Sequence, residues 1–203
     1  TLAQRAVGEL KEFKATLAQG LNLVLVLITP AVVGMILLAH PINALIYEHG
    51  SFTAFDTDIV SIVLRVHMIG VFFAAIDQPL IFAFYARKDT LTPALVGIAS
   101  MVAYLSIAYI ISLIRPIQLL DLVAANSAQL ATHALLMIAI FRHRLGGFEN
   151  NSVWILLIKA VAASAVMAAI VWGASVGLSS LTLPNNLFSR AAYVFIPSGI
   201  GMV

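Results

Sequence analysis

The residues that could do chemistry are a few polar side chains set inside long apolar runs. Asp77, Gln78 and Pro79 interrupt one run, and Arg65 precedes them in the same run. An ionisable group at the centre of a bilayer costs about 2.5–3.5 kcal/mol to insert, so each one needs a partner or a function. Proline also frees a backbone carbonyl one turn earlier. The cluster predicts either a hinge whose acid faces a cavity, or a polar tie to a neighbouring helix.

A second polar set lies in a later apolar run. Asn126, Gln129 and His133 recur at i, i+3 and i+7, which places them on one face of a helix. On a membrane helix such a face points into the bundle or toward a water-filled path. The set therefore predicts either interior hydrogen bonding between helices or the lining of a cavity.

Arg65 has polar residues on its own helical face. Asp58 and Ser61 lie seven and four residues before it. The simplest interpretation is that its guanidinium extends toward Asp58 and the outer headgroups. A role in lining a cavity is the alternative.

Several kinds of chemistry have no residues to support them. The chain has no cysteine, which excludes disulfides and thiol nucleophiles. It shows no paired histidines at i, i+4, no glycine-rich phosphate loop and no nucleophile elbow. Its cations are scattered singly, unlike a nucleic-acid-binding patch. We predict no catalytic residue, no metal site, no cofactor and no nucleic-acid partner.

The elements that must position these residues are membrane helices. The 203-residue chain is 62% hydrophobic and only 10% charged, far less than the quarter typical of soluble domains. Solid apolar runs favour an all-α, polytopic membrane helix bundle over a barrel. We predict one bundle over residues 1–203, a piece of a larger protein, with the first span broken by Pro30 and Pro41. The six predicted spans are roughly 17–47, 57–84, 93–114, 117–141, 153–178 and 188–203.

The Lys and Arg residues predict an orientation, because cytoplasmic loops hold them in excess. Seven lie on one side (Arg5, Lys11, Lys14, Arg87, Lys88, Arg142, Arg144) and two on the other (Arg115, Arg190). The turn after the second span is therefore predicted to be cytoplasmic, with Tyr85 in an aromatic belt and Arg87 and Lys88 at anionic headgroups. Asp89 is one of the candidates to start the next helix.

Two of these segments resemble a known family. The stretches "HPINALIYEHGSFTAFDTDIV" and "LIFAFYARKDTLTPALVG" are similar to the MurJ/MviN family of lipid II flippases, in the multidrug/oligosaccharidyl-lipid/polysaccharide exporter superfamily. The resemblance is clearest over residues 1–100. It implies a multi-pass protein of the bacterial cytoplasmic membrane that works by alternating access, and this chain would form most of its C-terminal lobe.

The resemblance also implies the partners. They would be membrane lipid and a polyprenyl-pyrophosphate-linked muropeptide, with a coupling ion left open. The charged cleft that takes the pyrophosphate would come mostly from earlier helices, so no substrate-binding arginine is assigned here. The last two spans would correspond to the pair that cradles the lipid tail. The alternatives are a flippase for another polyprenyl-linked glycan, a cation-coupled drug exporter, or a membrane scaffold that does not transport.

The predicted topology can be tested by cysteine labelling. The chain lacks cysteine, so a cysteine placed at Lys88 is unique within it. We expect a membrane-impermeant maleimide to reach this cysteine only from the cytoplasmic side. Labelling from outside intact cells would refute the topology.

Overall fold

The computed structural model describes residues 2–148, 152–179 and 187–201, and within these it describes the side chains of 9–148, 152–177 and 188–201. This part of the chain forms helices joined by turns and contains no strand. The all-α prediction is therefore confirmed. The helices are α1 Leu2–Leu37, α2 Ala39–Tyr47, α3 Ala54–Ala86, α4 Leu91–Ile114, α5 Leu119–Leu145, α6 Ser152–Ser179 and α7 Leu187–Gly201.

Five of these helices are long and apolar enough to cross a membrane: α1, α3, α4, α5 and α6. They match the first five predicted spans, with boundaries that differ by a few residues except in the first span, predicted as 17–47, where α1 both begins and ends at least ten residues earlier. The sixth predicted span is α7, which is helical over its 15 described residues. Residues 202 and 203 of that prediction lie outside the described residues.

The prediction for the first span was partly wrong. Pro30 lies inside α1 without ending it, so the predicted break there does not occur. The helix instead ends at Leu37, and α2 begins at Ala39. Pro41 then falls in the first turn of α2, where a missing backbone N–H needs no partner. Pro79 likewise lies within an uninterrupted α3.

The start of α3 carries the capping box that the sequence pattern indicates. Thr53 donates its backbone N–H to Asp56 Oδ2 over 2.8 Å, and Asp56 donates its own N–H to Thr53 Oγ1 over 3.4 Å. Two of the orphan backbone donors at this helix end are satisfied in this way. Gly50, with φ of 62°, reverses the chain just before it.

Helices α3 and α5 make the most extensive contact between two of the described helices. A Cβ added at Gly70 would lie 2.9 Å from Ser127 Cα, so the backbones touch where these two small residues meet. Ser127 Oγ also donates to the carbonyl of Val66 over 2.9 Å. Small residues that permit close approach are the usual basis of helix packing in membranes.

The rest of the bundle is arranged around this pair. Helix α1 packs on α3 and α6, α4 packs on α5, and α7 packs on α6 and α2. The apolar core fills the half of the bundle that contains the α3–α4 turn, with side chains from α1, α3 and α5. Many large apolar side chains point outward instead, most densely on α4. An outward apolar surface of this kind suits lipid rather than water.

The close crossing predicts a sensitive glycine. We expect Gly70→Ala to destabilise the purified full-length protein by about 1–3 kcal/mol, because the added methyl group meets backbone that cannot move aside cheaply. Thermal unfolding in detergent measures this effect. Gly20→Ala is the matched control, since nothing lies within 4 Å of its added Cβ. Equal effects of the two substitutions would show that the crossing is looser than described.

Candidate functional site

The predicted inner turn gathers three segments at one end of the bundle. Arg144 Nη1 at the end of α5 lies 2.9 Å from Asp89 Oδ2 in the α3–α4 turn. The Arg87 guanidinium lies 5.7 Å from the centre of the Phe13 ring on α1. The structure therefore places the basic segments that the charge count grouped together at the same end.

The turn itself is a helix ending followed directly by a helix start. Lys88 has φ of 61°, and its N–H donates to Tyr85 while the N–H of Asp89 donates to Phe84. This hydrogen-bond pattern is a Schellman ending of α3, with lysine at the position that glycine usually takes. Tyr85, Arg87 and Lys88 are all exposed there. They are thus free to meet lipid headgroups.

Asp89 begins α4. Its carboxylate accepts the backbone N–H of Thr92 over 2.9 Å and the Thr92 hydroxyl over 2.6 Å. The Arg144 guanidinium donates to both Asp89 and Thr92. The hydrogen bonds from Thr92, followed by the nearby Arg144 charge, hold the pKa of Asp89 below its ordinary value. Thr90 takes the N-cap position, but of the predicted candidates it is Asp89 whose side chain accepts a backbone N–H at this helix start.

Deeper in the bundle, the two predicted polar clusters meet. His133 Nδ1 lies 2.6 Å from Asp77 Oδ2, joining α5 to α3. Asp77 is buried and His133 is mostly buried, with exposed side-chain fractions of 9% and 15%. The contact has the length of an ion pair, but the ring N–H is not aimed at the carboxylate closely enough for a hydrogen bond, and Asp77 Oδ1 has no partner. Nε2 of His133 faces Gly97 of α4.

The Asp77–His133 contact joins the predicted polar cluster of α3 to the predicted polar cluster of α5. A direct tie between neighbouring helices was one of the two interpretations of Asp77, and the geometry supplies that tie. A carboxyl group and an imidazole in contact give each other a polar partner. In a bilayer interior such a partner lowers the cost of burying either group alone.

The other members of the clusters do not join the pair. Gln78 is exposed and Pro79 is half-buried. Gln129 Nε2 approaches Met101 Sδ of α4 at 4.0 Å, and Asn126 is half-buried without a hydrogen bond to a described residue. The predicted polar face of α5 is therefore divided between α3 and α4.

The structure corrects the interpretation of Arg65. Its Nε donates to the carbonyl of Ile36 over 3.1 Å, at the end of α1. Asp58, the predicted partner, lies instead 3.2 Å from His40 Nε2 on α2. An arginine can donate to a carbonyl group at a helix end as readily as it can donate to a carboxylate. Because the break after Leu37 was not predicted, neither was this bond.

Sequence reasoning missed an ionic cluster at the opposite end. Arg190 of α7 donates to Glu48 Oε1 over 2.8 Å and to the carbonyls of Ala44 and Glu48. Thr57 donates to the other carboxylate oxygen, Oε2, over 3.0 Å. The sequence does contain a signal for this cluster. Glu48 is an acidic residue between the first two predicted spans, and Arg190 is predicted on the same side of the membrane.

Known proteins resemble this chain along most of its length. The family model "Lipid II flippase MurJ" matches residues 1–192. A probable lipid II flippase MurJ of Haemophilus influenzae is 26% identical over 162 residues, or 79% of this chain and 31% of the relative. The corresponding protein of Bdellovibrio bacteriovorus is 26% identical over 82% of this chain and 32% of its own length. A lipid II flippase MurJ of Thermosipho africanus is 37% identical over 83 residues, which are 41% of this chain and 18% of that protein.

The chain thus spans about a third of the length of the first two relatives. Among the residues that the structure describes, no group of three or more His, Asp or Glu side chains is placed to hold a metal ion. Its main polar features are the Asp77–His133 pair inside the bundle and the Arg144–Asp89 and Arg190–Glu48 ion pairs at the two ends.

The lowered pKa of Asp89 predicts a pH-dependent contribution to stability. Its stabilising effect is fully present above the unfolded-state pKa, about 4, and is lost as the pH falls through the lower folded-state value. We expect Asp89→Asn to lower the thermal unfolding temperature of the purified protein at pH 7, and expect the difference from wild type to shrink below about pH 4.

Two arginine variants check the cause of this effect. Arg144→Gln should destabilise the protein at pH 7, because it removes the ion pair with Asp89. Arg142→Gln is the matched control, since Arg142 is exposed and has no ion pair within the described residues. A difference between Asp89→Asn and wild type that stays constant from pH 7 to pH 3 would contradict the assignment.

Proposed function

Because this chain belongs to the lipid II flippase MurJ family, we propose that it forms part of a transporter that moves lipid II across the cytoplasmic membrane by alternating access. The observation that carries the proposal is the family match over residues 1–192, on a chain with five helices fit to span a bilayer. A flippase moves its substrate without changing covalent bonds, so no catalytic residue is required. The remaining question is what this part of the protein contributes.

We propose that the end containing the α3–α4 turn faces the cytoplasm. Support comes from the basic residues gathered there and from the exposed aromatic side chains beside them, Phe82 and Tyr85. Such a girdle of aromatic and basic residues is typical of the membrane–water interface. Lipid II would then enter from the leaflet at this end and leave at the end that holds Glu48 and Arg190.

In alternating access one lobe rocks against the other, so each lobe has to move as a unit. The Asp77–His133 contact and the Gly70–Ser127 crossing both join α3 to α5. We propose that these contacts make the two helices a rigid pair. The half-buried Asn126 and Gln129, which the Asp77–His133 contact leaves free, are the candidates to border the central cavity.

Helix α6 is proposed to contact the lipid tail. A cavity of about 400 Å³ lies between α6 and α1, beside the small residues of α6. Ala160, Ala163 and Ser164 line the cavity from α6, opposite Val26 and Pro30 of α1. Lys159 also lines the cavity, but the other lining residues are small or apolar, and such a surface accepts an acyl chain along them.

The role of the buried pair can be tested in cells that depend on the full-length gene. We expect Asp77→Ala and His133→Ala each to fail to restore growth after depletion of the wild-type protein, with lipid II accumulating in the inner leaflet. Each substitution leaves a buried polar partner alone, which typically costs about 3–5 kcal/mol for a charged pair. Membrane levels of each variant should be measured together with lipid II.

Gln78→Ala is the matched control, because Gln78 is adjacent to Asp77 and exposed. It should support growth at normal protein levels. Asn126→Ala tests the proposed cavity border independently of the pair. If Asp77→Asn and Asn126→Ala both leave lipid II flipping and peptidoglycan synthesis intact, these residues do not take part in transport.

A further inference from the structure

The contact between Asp77 and His133 leaves two buried polar atoms without a hydrogen bond. His133 Nδ1 lies 2.6 Å from Asp77 Oδ2 yet makes no hydrogen bond in this orientation, and Asp77 Oδ1 has no partner. A buried polar atom left unsatisfied costs about 1–3 kcal/mol. Native proteins retain such atoms where they have a further task, such as handling a proton or an ion. The pair is therefore a candidate for more than holding α3 against α5.

The helices around the pair bring no other charge to it. Helix α4, whose Gly97 faces His133 Nε2, contains no Asp, Glu, Lys, Arg or His, and its titratable groups are Tyr104 and Tyr109. Both tyrosines lie at least seven residues beyond Gly97, or about 10 Å along the helix. Helix α1, which packs on α3, has no ionisable residue from position 15 to its end.

Helices α3 and α5 themselves add no charged neighbour. On α3 the nearest ionisable residues are His67, ten positions before Asp77, and Tyr85, eight positions after it. On α5 the nearest is Arg142, nine positions after His133. These separations amount to about 12 Å or more along the helix axis. The charge of this region is therefore set by the protons on Asp77 and His133.

A row of polar side chains leads along α5 to the pair. Asn126 and Gln129 precede His133 by seven and four residues, on the same face of the helix. Both are half-buried, and the His133 side chain is 15% exposed. Protons reach buried acids in transporters through chains of polar groups and water. Water that enters the proposed central cavity can therefore reach His133.

We propose that Asp77 and His133 bind and release one proton in each transport cycle, which makes the protein an exchanger of protons for its lipid-linked substrate. The inference rests on the proposed function and adds an energy source to it. With one proton held between Oδ2 and Nδ1, the pair is neutral. On release the bond to hydrogen breaks, its electron pair stays on the oxygen or nitrogen atom, and the proton passes to water. The pair then carries one negative charge.

The cost of that charge couples the proton to the substrate. A bare carboxylate is expensive in a region that water has left, so the empty lobe has to pass through its closed state with the proton bound. A loaded lobe can close without the proton, because hydroxyl and amide donors of a muropeptide headgroup can bond to the open Asp77 Oδ1. Protons then move in one direction and the substrate in the other.

The test uses the purified full-length protein in vesicles that contain fluorescent lipid II, with the membrane potential abolished by potassium and valinomycin. A gradient of one pH unit should concentrate lipid II about tenfold in the leaflet on the acidic side, because one proton is exchanged for each lipid II. A membrane-impermeant quencher measures the distribution. Asp77→Asn and His133→Gln should each abolish the accumulation, since each removes one of the two proton-binding groups.

His67→Gln is the matched control. His67 is a half-buried histidine on the same helix as Asp77, and the ion pairs among the described residues do not include it. This variant should accumulate lipid II as the wild type does. An equal loss of accumulation in His67→Gln would contradict the assignment to the Asp77–His133 pair.

The wild-type protein separates this proposal from the proposed function. Movement of lipid II between leaflets without accumulation on the acidic side would overturn the proton exchange and leave the proposed function standing. Absence of any movement would instead refute the proposed function. Accumulation that follows a sodium gradient at equal pH would assign the coupling to sodium and overturn the proton exchange.

A second measurement locates the proton without relying on transport, so it remains decisive if a variant moves no lipid II. Infrared difference spectra of the purified full-length protein contain the carboxylic-acid band of Asp77, which is identified by its loss in Asp77→Asn. The midpoint of its titration should move by about one pH unit or more in His133→Gln, because interacting groups titrate together. An unchanged midpoint in His133→Gln, or no band that is lost in Asp77→Asn, would overturn the proposal.

Discussion

The absence of water in the bilayer interior is the constraint on which the structure depends. A polar group placed there has to find its partner within the protein. Asp77 and His133 meet across two helices for this reason, and Asn43 donates to Ser61 over 3.2 Å in the same way. The hydroxyl of Ser127 uses a backbone carbonyl of the neighbouring helix. Polar side chains and close packing of small residues such as Gly70 thus both contribute to which helix faces which.

The two ends of the bundle follow different physical rules. Near the headgroups, charges can remain solvated, so Arg87 and Lys88 stay exposed. Arg144 and Asp89 instead form a pair that also starts α4. At the opposite end, Arg190 and Glu48 are both mostly buried and hold α7 against α2.

The sequence alone was sufficient to predict the helices, but it was not sufficient to predict the contacts between them. Spans could be predicted because a bilayer demands about twenty consecutive apolar residues, a requirement that each run meets locally. The Thr53–Asp56 capping box is likewise a local pattern, formed by two residues three positions apart. Asp77 and His133 were each identified, yet their contact depends on the rotation of α3 relative to α5, which no local pattern contains. The bond from Arg65 to Ile36 depended on a helix break that Pro30 and Pro41 only approximately indicated.

The contacts of Arg190 bear on the order in which the protein is completed at the translocon. The end of α2 presents two carbonyl groups and a carboxylate to this one guanidinium, which is synthesised more than 140 residues later. Until α7 has been inserted, these acceptors have to rely on water at the membrane surface. The end of the bundle that holds Glu48 can therefore reach its final hydrogen bonding only after α7 is in place.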